Sequence, residues 1–447
     1  MRYVYETAAY GPDPIRDLYW STTVPSVSLP TLNGSHKTDV AVIGAGFTGL
    51  SAAYHLGQAG VDVTVMDAQH PMFGATGRNG GFCCLGGGKI SNARLDRLYG
   101  SDQRQLYRQA EKAAVDLVDQ FISDHDLNVE RHSNGETLLA HKPKHAQDFP
   151  ALQAEIQRDY GVTADILGEQ ELRQNGLGGA FHGAITTPIG FGLNPQKYAS
   201  GLLQMARTKG AKIYANTPAL RIVPTTSGYD IATPNGTVSC NKFIIATNGY
   251  SSEDMFPWMR ARFLPVQSSV IVTRPITDQE QTAQGWTSAQ MAYDSRFLLH
   301  YFRMMPNNRF LFGMRGGLHY TKRSNERIRQ KIRHDFAEMF PTWRDVTIDY
   351  EWSGLVALNR SETPYVGEIP GYAGGYAGFG YHGNGVAMAS YSGALLSDMV
   401  LDRIGTRPNP KAFQHIPPQF PLGRFRRYML TPIYALPKAW IYDRRAR

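Results

Sequence analysis

The chain has 447 residues and a formal net charge of +8, with 42% hydrophobic and 19% charged residues. That composition excludes a disordered chain, the length predicts two or three domains, and no apolar run approaches the roughly 18 residues that cross a membrane. The three cysteines, Cys83, Cys84 and Cys240, exclude a disulfide framework and a four-cysteine zinc site. Because the chain also opens without a basic and apolar signal segment, we expect a cytoplasmic protein.

The first 35 residues are rich in proline, tyrosine, serine and threonine, and they predict an extended arm that packs on the body of the protein. From residue 39 the pattern changes to a buried strand over 39–43, a helix over 48–59 and an alternating strand over 61–66. This order of elements predicts a βαβ unit.

A glycine-rich turn joins the first strand of this unit to its helix. Gly44 permits a tight turn, Gly46 lets a pyrophosphate approach the backbone, and Gly49 lets helix and strand pack closely. Asp67, at the end of the second strand, can accept hydrogen bonds from ribose hydroxyls. A glycine-rich turn without a ligand is the alternative, but the strand, helix and acid in register favour a dinucleotide. The motif alone does not separate FAD from NAD.

The rest of the chain predicts further helices and short strands. We expect helices over 101–125, 195–209, 324–339 and 386–401. We expect strands over 135–141, 212–215, 220–224, 229–233, 237–239, 243–246, 265–273, 297–304 and 310–314. The strands between 220 and 239 predict a small antiparallel meander.

Other turns offer groups to the same ligand. Residues 74–81 form a second glycine-rich turn, whose backbone amides and Arg78 can contact a dinucleotide or a flavin ring. Residues 378–385 form a third, and the positive end of the helix that follows can face a flavin edge. Residues 247–249 close a strand that is expected to lie on the same sheet.

Taken together, several motifs resemble one family. They are Val42–Gly49, Gly77–Phe82, Ala246–Asn248, Trp352–Gly354, Pro364–Gly367 and Gly380–Gly385. In this order they resemble the D-amino-acid-oxidase superfamily of FAD-dependent oxidoreductases, above all its γ-glutamylputrescine oxidoreductase-like branch. The monomeric sarcosine oxidase and glycine oxidase branches are more distant. The resemblance implies an α/β FAD-binding domain of Rossmann type and a second, α+β domain with an antiparallel sheet for the substrate.

The predicted elements and the resemblance divide the chain into four parts. An N-terminal arm covers 1–35, and a basic, aromatic tail covers 406–447. The FAD-binding domain is assembled from 36–90, 190–255 and 353–405. The substrate domain is assembled from 91–189 and 256–352.

The resemblance implies that residues of the glycine-rich turns and of nearby strand ends bind FAD. They are Gly44, Ala45, Gly46, Phe47, Thr48, Gly49, Asp67, Ala68, Thr76, Gly77, Arg78, Asn79, Gly80, Ala219, Thr247, Asn248, Gly249, Gly354, Gly383, Asn384, Gly385 and Val386. Sarcosine-oxidase-like enzymes tether FAD to a cysteine in the stretch that matches 354–367. This chain has no cysteine there, so we expect non-covalent FAD. Cys83 and Cys84 follow the second turn and are expected to pack near the cofactor.

The resemblance also implies the chemistry, because family members oxidise amines. The expected substrate is a primary or N-alkyl amine, derived from an amino acid or a polyamine. It gives a hydride to flavin N5, and the resulting imine hydrolyses in water. The electron acceptor stays open between O2 and a carrier or quinone, because Leu311 stands where the related oxidases carry a lysine. A flavin-binding subunit without activity is the alternative outside enzymes.

Three residues are candidates for a catalytic role in contact with the substrate. His382 replaces a serine of the related pattern, and it either faces the substrate or only hydrogen-bonds backbone. Tyr301 and Arg303 alternate on one predicted strand and so share a face. Arg303 either clamps a carboxylate or is an exposed strand arginine.

The basic tail carries much of the chain's positive charge. Residues 420–447 hold seven basic residues against Asp443 alone, mixed with aromatic residues. A membrane-surface contact and docking on the body or on a second subunit both remain open. No basic stripe marks the rest of the chain, so a nucleic-acid partner is not expected.

Overall fold

The computed structural model describes residues 2–11, 18–403 and 405–435. Its strands are β1 Gly34–Ile43, β2 Val63–Met66, β3 Phe82–Cys83, β4 Glu136–Leu139, β5 Asp165–Gly168, β6 Gly183–Thr187, β7 Phe191–Gly192, β8 Lys212–Tyr214, β9 Arg221–Pro224, β10 Tyr229–Thr233, β11 Gly236–Ile245, β12 Leu264–Pro275, β13 Met291–Asp294, β14 His300–Met304, β15 Arg309–Arg315, β16 Ile348–Leu358, β17 Tyr365–Glu368 and β18 Gly375–Phe379. Its α-helices are α1 Phe47–Gln58, α2 Ala75–Arg78, α3 Asn92–Tyr99, α4 Ser101–Asp124, α5 Pro143–Gln147, α6 Phe149–Tyr160, α7 Glu169–Leu172, α8 Pro195–Thr208, α9 Asp278–Gln284, α10 Lys322–Met339, α11 Gly385–Val400, α12 Lys411–Gln414 and α13 Leu430–Ala435.

The first sheet has β1 in its interior. Its strand order is β17-β18-β11-β1-β2-β8, parallel from β18 to β8, with β10 and β9 attached beside β11. Val40 and Val42 belong to one core cluster, whereas Ala41 and Ile43 belong to another. Both faces of β1 are therefore covered, as a continuous apolar strand requires. Helix α1 packs against α8 and α11 on one of these faces.

The second sheet is mostly antiparallel. Its order is β16-β12-β15-β14-β13-β4-β6-β5, and β13 with β4 is its parallel pair. Phe310 and Phe312 of β15 pack with Phe336 of α10 in an aromatic core. Leu311 alternates to the opposite face, where it packs with Trp20 of the N-terminal arm. The two sheets confirm the predicted fold class.

The N-terminal arm is held by buried aromatic side chains. Trp20 is fully buried, and its Nε1 donates to the carbonyl oxygen of Asn79 at 2.9 Å. Nearer the N-terminus, Tyr3 stacks on Tyr10 with ring centroids 4.0 Å apart. Tyr5 donates its hydroxyl to the carbonyl oxygen of Gly317 at 2.8 Å. The described parts of the arm therefore pack on the body, as predicted.

Residues 405–435 also dock on the body. The guanidinium of Arg426 is buried and donates to Glu253 Oε1 at 2.6 Å and to the carbonyl oxygen of Phe263 at 2.6 Å. Arg427 pairs with Glu6 of the arm at 3.0 Å. Arg424 is exposed, and the other basic residues of 420–447, Lys438, Arg444, Arg445 and Arg447, lie outside the described residues.

Most predicted helices and strands agree with the structure to within a few residues at their ends, but one prediction gives the wrong number of strands. The stretches 237–239 and 243–246 were expected as separate strands, but they are one strand, β11. Asn241 and Lys242 interrupt the apolar pattern, yet Lys242 pairs in register with Val40, so the ladder with β1 continues. Within the described ranges, no helix combines the length and the apolar character that crossing a membrane requires.

Candidate functional site

A long cleft opens at the carboxyl end of β1. It contains about 1360 Å³ of empty space, including its mouth. Residues predicted to bind a nucleotide supply much of its wall: Gly44, Gly46, Phe47, Thr48, Asp67, Ala68, Thr76, Asn79, Ala219, Thr247, Asn248, Gly383, Gly385 and Val386. We call this space the nucleotide cleft. It brings together the first, second and third glycine-rich turns, which are far apart in the sequence.

The first turn depends on glycine at two positions. Gly44 has a φ of +106°, and a Cβ there would lie 2.8 Å from the carbonyl oxygen of Ala246. A Cβ on Gly49 would overlap the carbonyl oxygen of Gly44. Helix α1 can therefore start directly after the turn, and its first residue, Phe47, lines the cleft. This end of α1 carries a partial positive charge and suits an anionic group.

Asp67 is tied to the first turn. Its Oδ2 accepts the backbone N–H of Ala45 at 2.8 Å, and its Oδ1 accepts that of Gln69 at 2.9 Å. Burial raises the pKa of Asp67, and these two hydrogen bonds act in the opposite direction. The carboxylate is thus positioned at the cleft wall, where a ribose hydroxyl can donate to it.

The second turn contains the short helix α2 and a buried arginine. Asn79 closes the turn by donating to the carbonyl oxygen of Thr76 at 2.7 Å and accepting the N–H of Gly81 at 2.8 Å. Arg78 is buried, with its guanidinium 4.3 Å from the ring centroid of Phe73. Among the described residues, its Nε and Nη2 have no hydrogen-bond partner. Unpartnered buried donors are rare in folded proteins, and these two are free to bind an acceptor such as a bound group or water.

The third turn leads into α11. Asn384 donates its Nδ2 to the carbonyl oxygen of Leu85 at 2.8 Å and so joins this turn to the segment after β3. A Cβ on Gly383 would overlap Nη2 of Arg315, because that guanidinium lies against the turn. The third turn therefore forms a wall of the nucleotide cleft and is in contact with the second sheet.

A second cavity, with about 890 Å³ of empty space including its mouth, adjoins the nucleotide cleft. The two spaces share the walls Ala75, Asn79, Leu355, Val356, Gly383 and Val386. Strands of the second sheet contribute Glu136, Ser268, Tyr293, Tyr301 and Arg315. Gly354 of β16 also lies on the second sheet, and the walls outside that sheet include Arg78, Gly80 and Asn384 together with Phe82, Cys84 and Lys89. Arg78, Gly80, Gly354 and Asn384 were predicted to bind the cofactor.

The second cavity is polar and charged. Arg78, Lys89 and Arg315 bring positive charge, and Glu136 brings negative charge. Burial, and next the charge of Arg315, lower the pKa of Lys89 to about 8. Burial raises the pKa of Glu136 to about 7, although the Cys84 thiol donates to it. Two oppositely charged groups can therefore each change protonation near neutral pH.

Tyr301, one of the three predicted contact residues, lies in the second cavity. Its ring covers Gly80, where a Cβ would come within 2.7 Å of Tyr301 Cε2. Its hydroxyl is 2.9 Å from Ser268 Oγ. The tyrosine is thereby held over the second turn, and burial raises the pKa of its hydroxyl.

His382 lines the nucleotide cleft, not the second cavity. Its Nε2 accepts the backbone N–H of Asn359 at 3.5 Å, and its backbone has a φ of +52°. Burial, and then the charges of Lys89 and Arg315, lower the pKa of His382 to about 3. The imidazole is therefore neutral near pH 7.

Arg303 lies in neither cavity. Its Nη1 donates to His132 Nε2 at 2.8 Å, and its Nη2 donates to the carbonyl oxygen of Leu193 at 2.7 Å. The side chain is buried beneath the rings of Trp20 and Phe82. It is thus neither an exposed strand arginine nor a wall of the site, because neighbouring segments bind its Nη1 and Nη2, while its Nε has no partner among the described residues.

Four of the predicted cofactor-binding residues, Ala45, Gly49, Gly77 and Gly249, line neither space. They belong to the turns behind the wall; a Cβ on Gly77, for example, would overlap the carbonyl oxygen of Met72. Leu311, at the position compared with an oxidase lysine, is also buried away from both spaces.

Sequence reasoning missed several wall residues. Tyr3 and Tyr10 of the N-terminal arm line the nucleotide cleft, and no local motif marks them. Lys89 follows three glycines, Gly86, Gly87 and Gly88, which could have been taken as another close backbone approach. Glu136 and Arg315 lie in ordinary strands, and only the assembled sheet brings them to the cavity.

Comparison with known proteins finds oxidoreductases, both as a family model and as individual relatives. The family model described as DAO, FAD dependent oxidoreductase, matches residues 39–399. A protein named probable oxidoreductase OrdL from Rhizobium meliloti is 30% identical over 419 residues, covering 92% of this chain and 94% of the relative. The gamma-glutamylputrescine oxidoreductase of Escherichia coli is 27% identical over 407 residues, covering 91% and 93%.

Solved structures show the same fold. Glycine oxidase from Geobacillus kaustophilus has a TM-score of 0.68 at 19% identity, covering 85% of this chain and 98% of that one. L-Amino acid deaminase from Proteus myxofaciens has a TM-score of 0.69 at 14% identity, covering 87% and 95%.

Proposed function

The chain belongs to the DAO family of FAD-dependent oxidoreductases, and we propose that it oxidises an amine bound in the second cavity. The observation that carries this proposal is the wall that the cavity shares with the nucleotide cleft, from Ala75 and Asn79 to Gly383 and Val386. A small molecule bound in the second cavity would therefore lie next to a cofactor bound in the nucleotide cleft. We also propose that the two sheets mark the two domains, with the boundaries predicted from the sequence except at 352/353, which falls inside β16 of the second sheet.

FAD is the cofactor of this family, and the residues of the nucleotide cleft fit it. The backbone at Gly46 and the start of α1 suit the pyrophosphate, and Asp67 suits the adenosine ribose. The unpartnered Nε and Nη2 of Arg78 are donors available to a flavin. The three cysteines are free, and the segment 354–367 contains none, which supports non-covalent binding.

In the proposed reaction, FAD held by the walls of the nucleotide cleft would supply the oxidising power, as acceptor of the hydride from the carbon next to the amine nitrogen. The protein orients the substrate, limits water and manages one proton. Tyr301 forms part of the cavity wall over Gly80, and its bond to Ser268 fixes the position of its ring. The imine product then hydrolyses in water.

The charges of the second cavity support a substrate class. Neither Glu136 nor Lys89 forms an ion pair with another residue that the structure describes. A carboxylate and an ammonium that line one cavity without an ion-pair partner among the described residues favour a ligand that brings both opposite charges. We therefore propose an amine that also carries a carboxylate, which includes amino acids and their polyamine conjugates. Gamma-glutamylputrescine, in the name of the E. coli relative, belongs to this class.

We propose that the electron acceptor is a carrier or quinone rather than O2. The side chain at the position of the oxidase lysine is Leu311, which is buried against Trp20 away from both spaces. The test compares oxygen uptake with reduction of an artificial dye by the substrate-reduced enzyme. Dye reduction without oxygen uptake supports a dehydrogenase, and rapid oxygen uptake supports an oxidase.

Anaerobic reduction of the FAD-bound protein tests the proposed function directly. A panel contains amines with and without a carboxylate, and hydroxy acids of matched length. We expect loss of the oxidised flavin absorbance with carboxylate-bearing amines. Reduction by a hydroxy acid and by none of the amines contradicts the proposal. A flavin-binding subunit without activity predicts no reduction by any compound.

The tail is proposed to form a surface contact in this function. Leu422, Phe425 and Tyr428 are exposed apolar side chains of the docked segment, and Arg424 lies among them in the sequence. Such a surface suits a membrane face or a second subunit. Sedimentation with anionic vesicles and light scattering of the protein alone distinguish the two.

The free, buried cysteines support our proposal that the protein resides in a reducing compartment, the cytoplasm.

A further inference from the structure

Few carboxylates line the nucleotide cleft and the second cavity, and one of them already accepts hydrogen bonds from the backbone. In the described residues that line the nucleotide cleft and the second cavity, the acidic side chains are Asp67 and Glu136. Both oxygens of Asp67 accept backbone N–H groups at the first turn. Glu136 has the Cys84 thiol as its donor and no ion-pair partner in the described chain. Glu136 is therefore the carboxylate available to a cation in the second cavity.

An amine substrate needs such a group. A free alkyl amine is mostly protonated at pH 7, since its pKa resembles the value of about 10.4 of a lysine side chain. An ammonium has no lone pair to assist loss of a hydride from the adjacent carbon. The bound substrate must therefore lose one proton before it is oxidised, and a base within hydrogen-bond reach is needed.

Other groups in the site are poorly suited to this task. The hydroxyls of Tyr301 and Tyr293 and the thiol of Cys84 have pKa values raised by burial, so they stay protonated. His382 lines the nucleotide cleft instead of the second cavity, and its pKa of about 3 makes it a weak base. Lys89 is cationic over part of the neutral range and so repels an ammonium.

We propose that Glu136 accepts a proton from the ammonium group of the bound substrate, with Lys89 as the residue that tunes it. This inference rests on the proposed function, because it needs an amine in the second cavity. The step balances: one N–H bond of the ammonium breaks, one O–H bond forms on Glu136, and the products are a neutral amine and a neutral carboxylic acid. No electron moves until the amine is neutral.

The surroundings of Glu136 give the expected pH dependence. The groups that face it are Cys83 and Cys84 near β3, Lys89, Glu111 of α4 and Tyr293 of β13, and Arg315 acts through Lys89. Burial, the first influence, places its pKa at about 7. Both protonation states are therefore populated at neutral pH, as is best for a general base.

The test is the rate of anaerobic flavin reduction, measured from pH 6 to pH 10 with the best amine of the panel. For Glu136→Gln we expect the rate at pH 7 to fall about 100-fold, in the range of lost general-base catalysis. The rate should recover as the pH approaches the pKa of the amine itself, because the neutral amine then binds directly. Glu136→Asp should retain an intermediate rate at pH 7.

Two further variants keep the test falsifiable. Lys89→Met removes a positive charge and should move the apparent pKa of the rate profile to higher pH. Glu351→Gln is the matched control, since Glu351 lies on the same sheet, outside both spaces, and pairs with Arg329 and Arg333. Its profile should match that of the unmodified protein.

The outcomes separate this inference from the proposed function. Superimposable profiles for Glu136→Gln and the unmodified protein overturn the role of Glu136 while leaving amine oxidation intact. Absence of reduction by any amine in the unmodified protein overturns the proposed function instead. If Glu136→Gln fails to bind FAD, the profiles of Glu136→Asp and Lys89→Met decide, and two unshifted profiles overturn the inference.

Discussion

The nucleotide cleft and the second cavity share a wall, but backbone forms much of the first and side chains supply the charge of the second. Much of the cleft wall is backbone from three glycine-rich turns, and its close approaches leave no room for a side chain at Gly49. The charged groups of the second cavity are side chains from separate elements: Arg78 from α2, Lys89 from a loop, Glu136 from β4 and Arg315 from β15. The cleft therefore depends on shape, whereas the cavity depends on charge. Substitutions should separate these two dependences.

The largest effect is expected from Gly49→Ala. The added Cβ overlaps the carbonyl oxygen of Gly44, so α1 must move away from β1 and the first turn must open. Overpacking of this kind costs about 1–3 kcal/mol, and if this cost falls on the FAD-bound state, binding is weakened roughly 5- to 140-fold. Titration of the apoprotein with FAD, followed by flavin fluorescence, measures the dissociation constant.

Gly11→Ala is the control for this prediction. Gly11 lies in the arm, and the nearest atom to an added Cβ there is 3.8 Å away, an ordinary contact. Equal FAD affinities for the two variants would show that the first turn tolerates expansion. The cleft would then not depend on shape in the way that we infer.

A smaller and more selective effect is expected from Arg315→Met. The loss of a charged hydrogen-bond donor to a substrate carboxylate costs about 1.5–3 kcal/mol, so KM for a carboxylate-bearing amine should rise roughly 10- to 100-fold. KM for an amine of matched length without the carboxylate should change much less. Steady-state kinetics with the two amines measure the difference.

Arg309→Met provides the matched control on the same strand. Arg309 pairs with Asp349 at 2.6 Å and lines neither space, so both KM values should stay unchanged. Equal losses for the two amines in Arg315→Met would remove the carboxylate from the proposed substrate. They would indicate that Arg315 acts on the cofactor through the neighbouring Gly383 turn.

The difference between the two regions also explains what the sequence could predict. The βαβ unit, the first turn and Asp67 form one continuous segment, so their spacing alone predicts a dinucleotide site. The second and third turns are also local motifs. The cofactor could be predicted because each of these sequence motifs can be interpreted without knowing where the other motifs lie in the fold.

The charged cavity could not be predicted in the same way. Glu136 reaches it because β4 pairs with β13, whose residues are about 150 positions away in the chain. Tyr301 and Arg303 alternate on one strand, as predicted, yet only Tyr301 meets the cavity. Trp20 and Phe82 cover the position of Arg303, and neither residue has a pattern that foretells this contact.

The smallest effect is expected on the second sheet away from the cavity, at His300. Its Nδ1 is 2.8 Å from Asp294 Oδ2, and its Nε2 is 3.0 Å from Asp335 Oδ2. Burial alone lowers the pKa of His300, but the two carboxylates outweigh burial and raise it above the ordinary value of 6.5. Because the folded-state pKa is raised, this stabilisation is fully present below pH 6.5. It is lost as the pH rises through the folded-state pKa.

His300→Gln should therefore lower the free energy of unfolding at pH 6, and the difference from the unmodified protein should shrink at higher pH. Urea unfolding between pH 6 and pH 9 measures this, with the exposed His334→Gln as control. A pH-independent difference would mean that packing of His300 on Phe312, and not its charge, stabilises this face. Flavin reduction rates should be nearly unchanged, because His300 lines neither space. A large fall in those rates would show that the second sheet transmits strain from this ion cluster to Tyr301, and the cavity would then depend on shape as well as on charge.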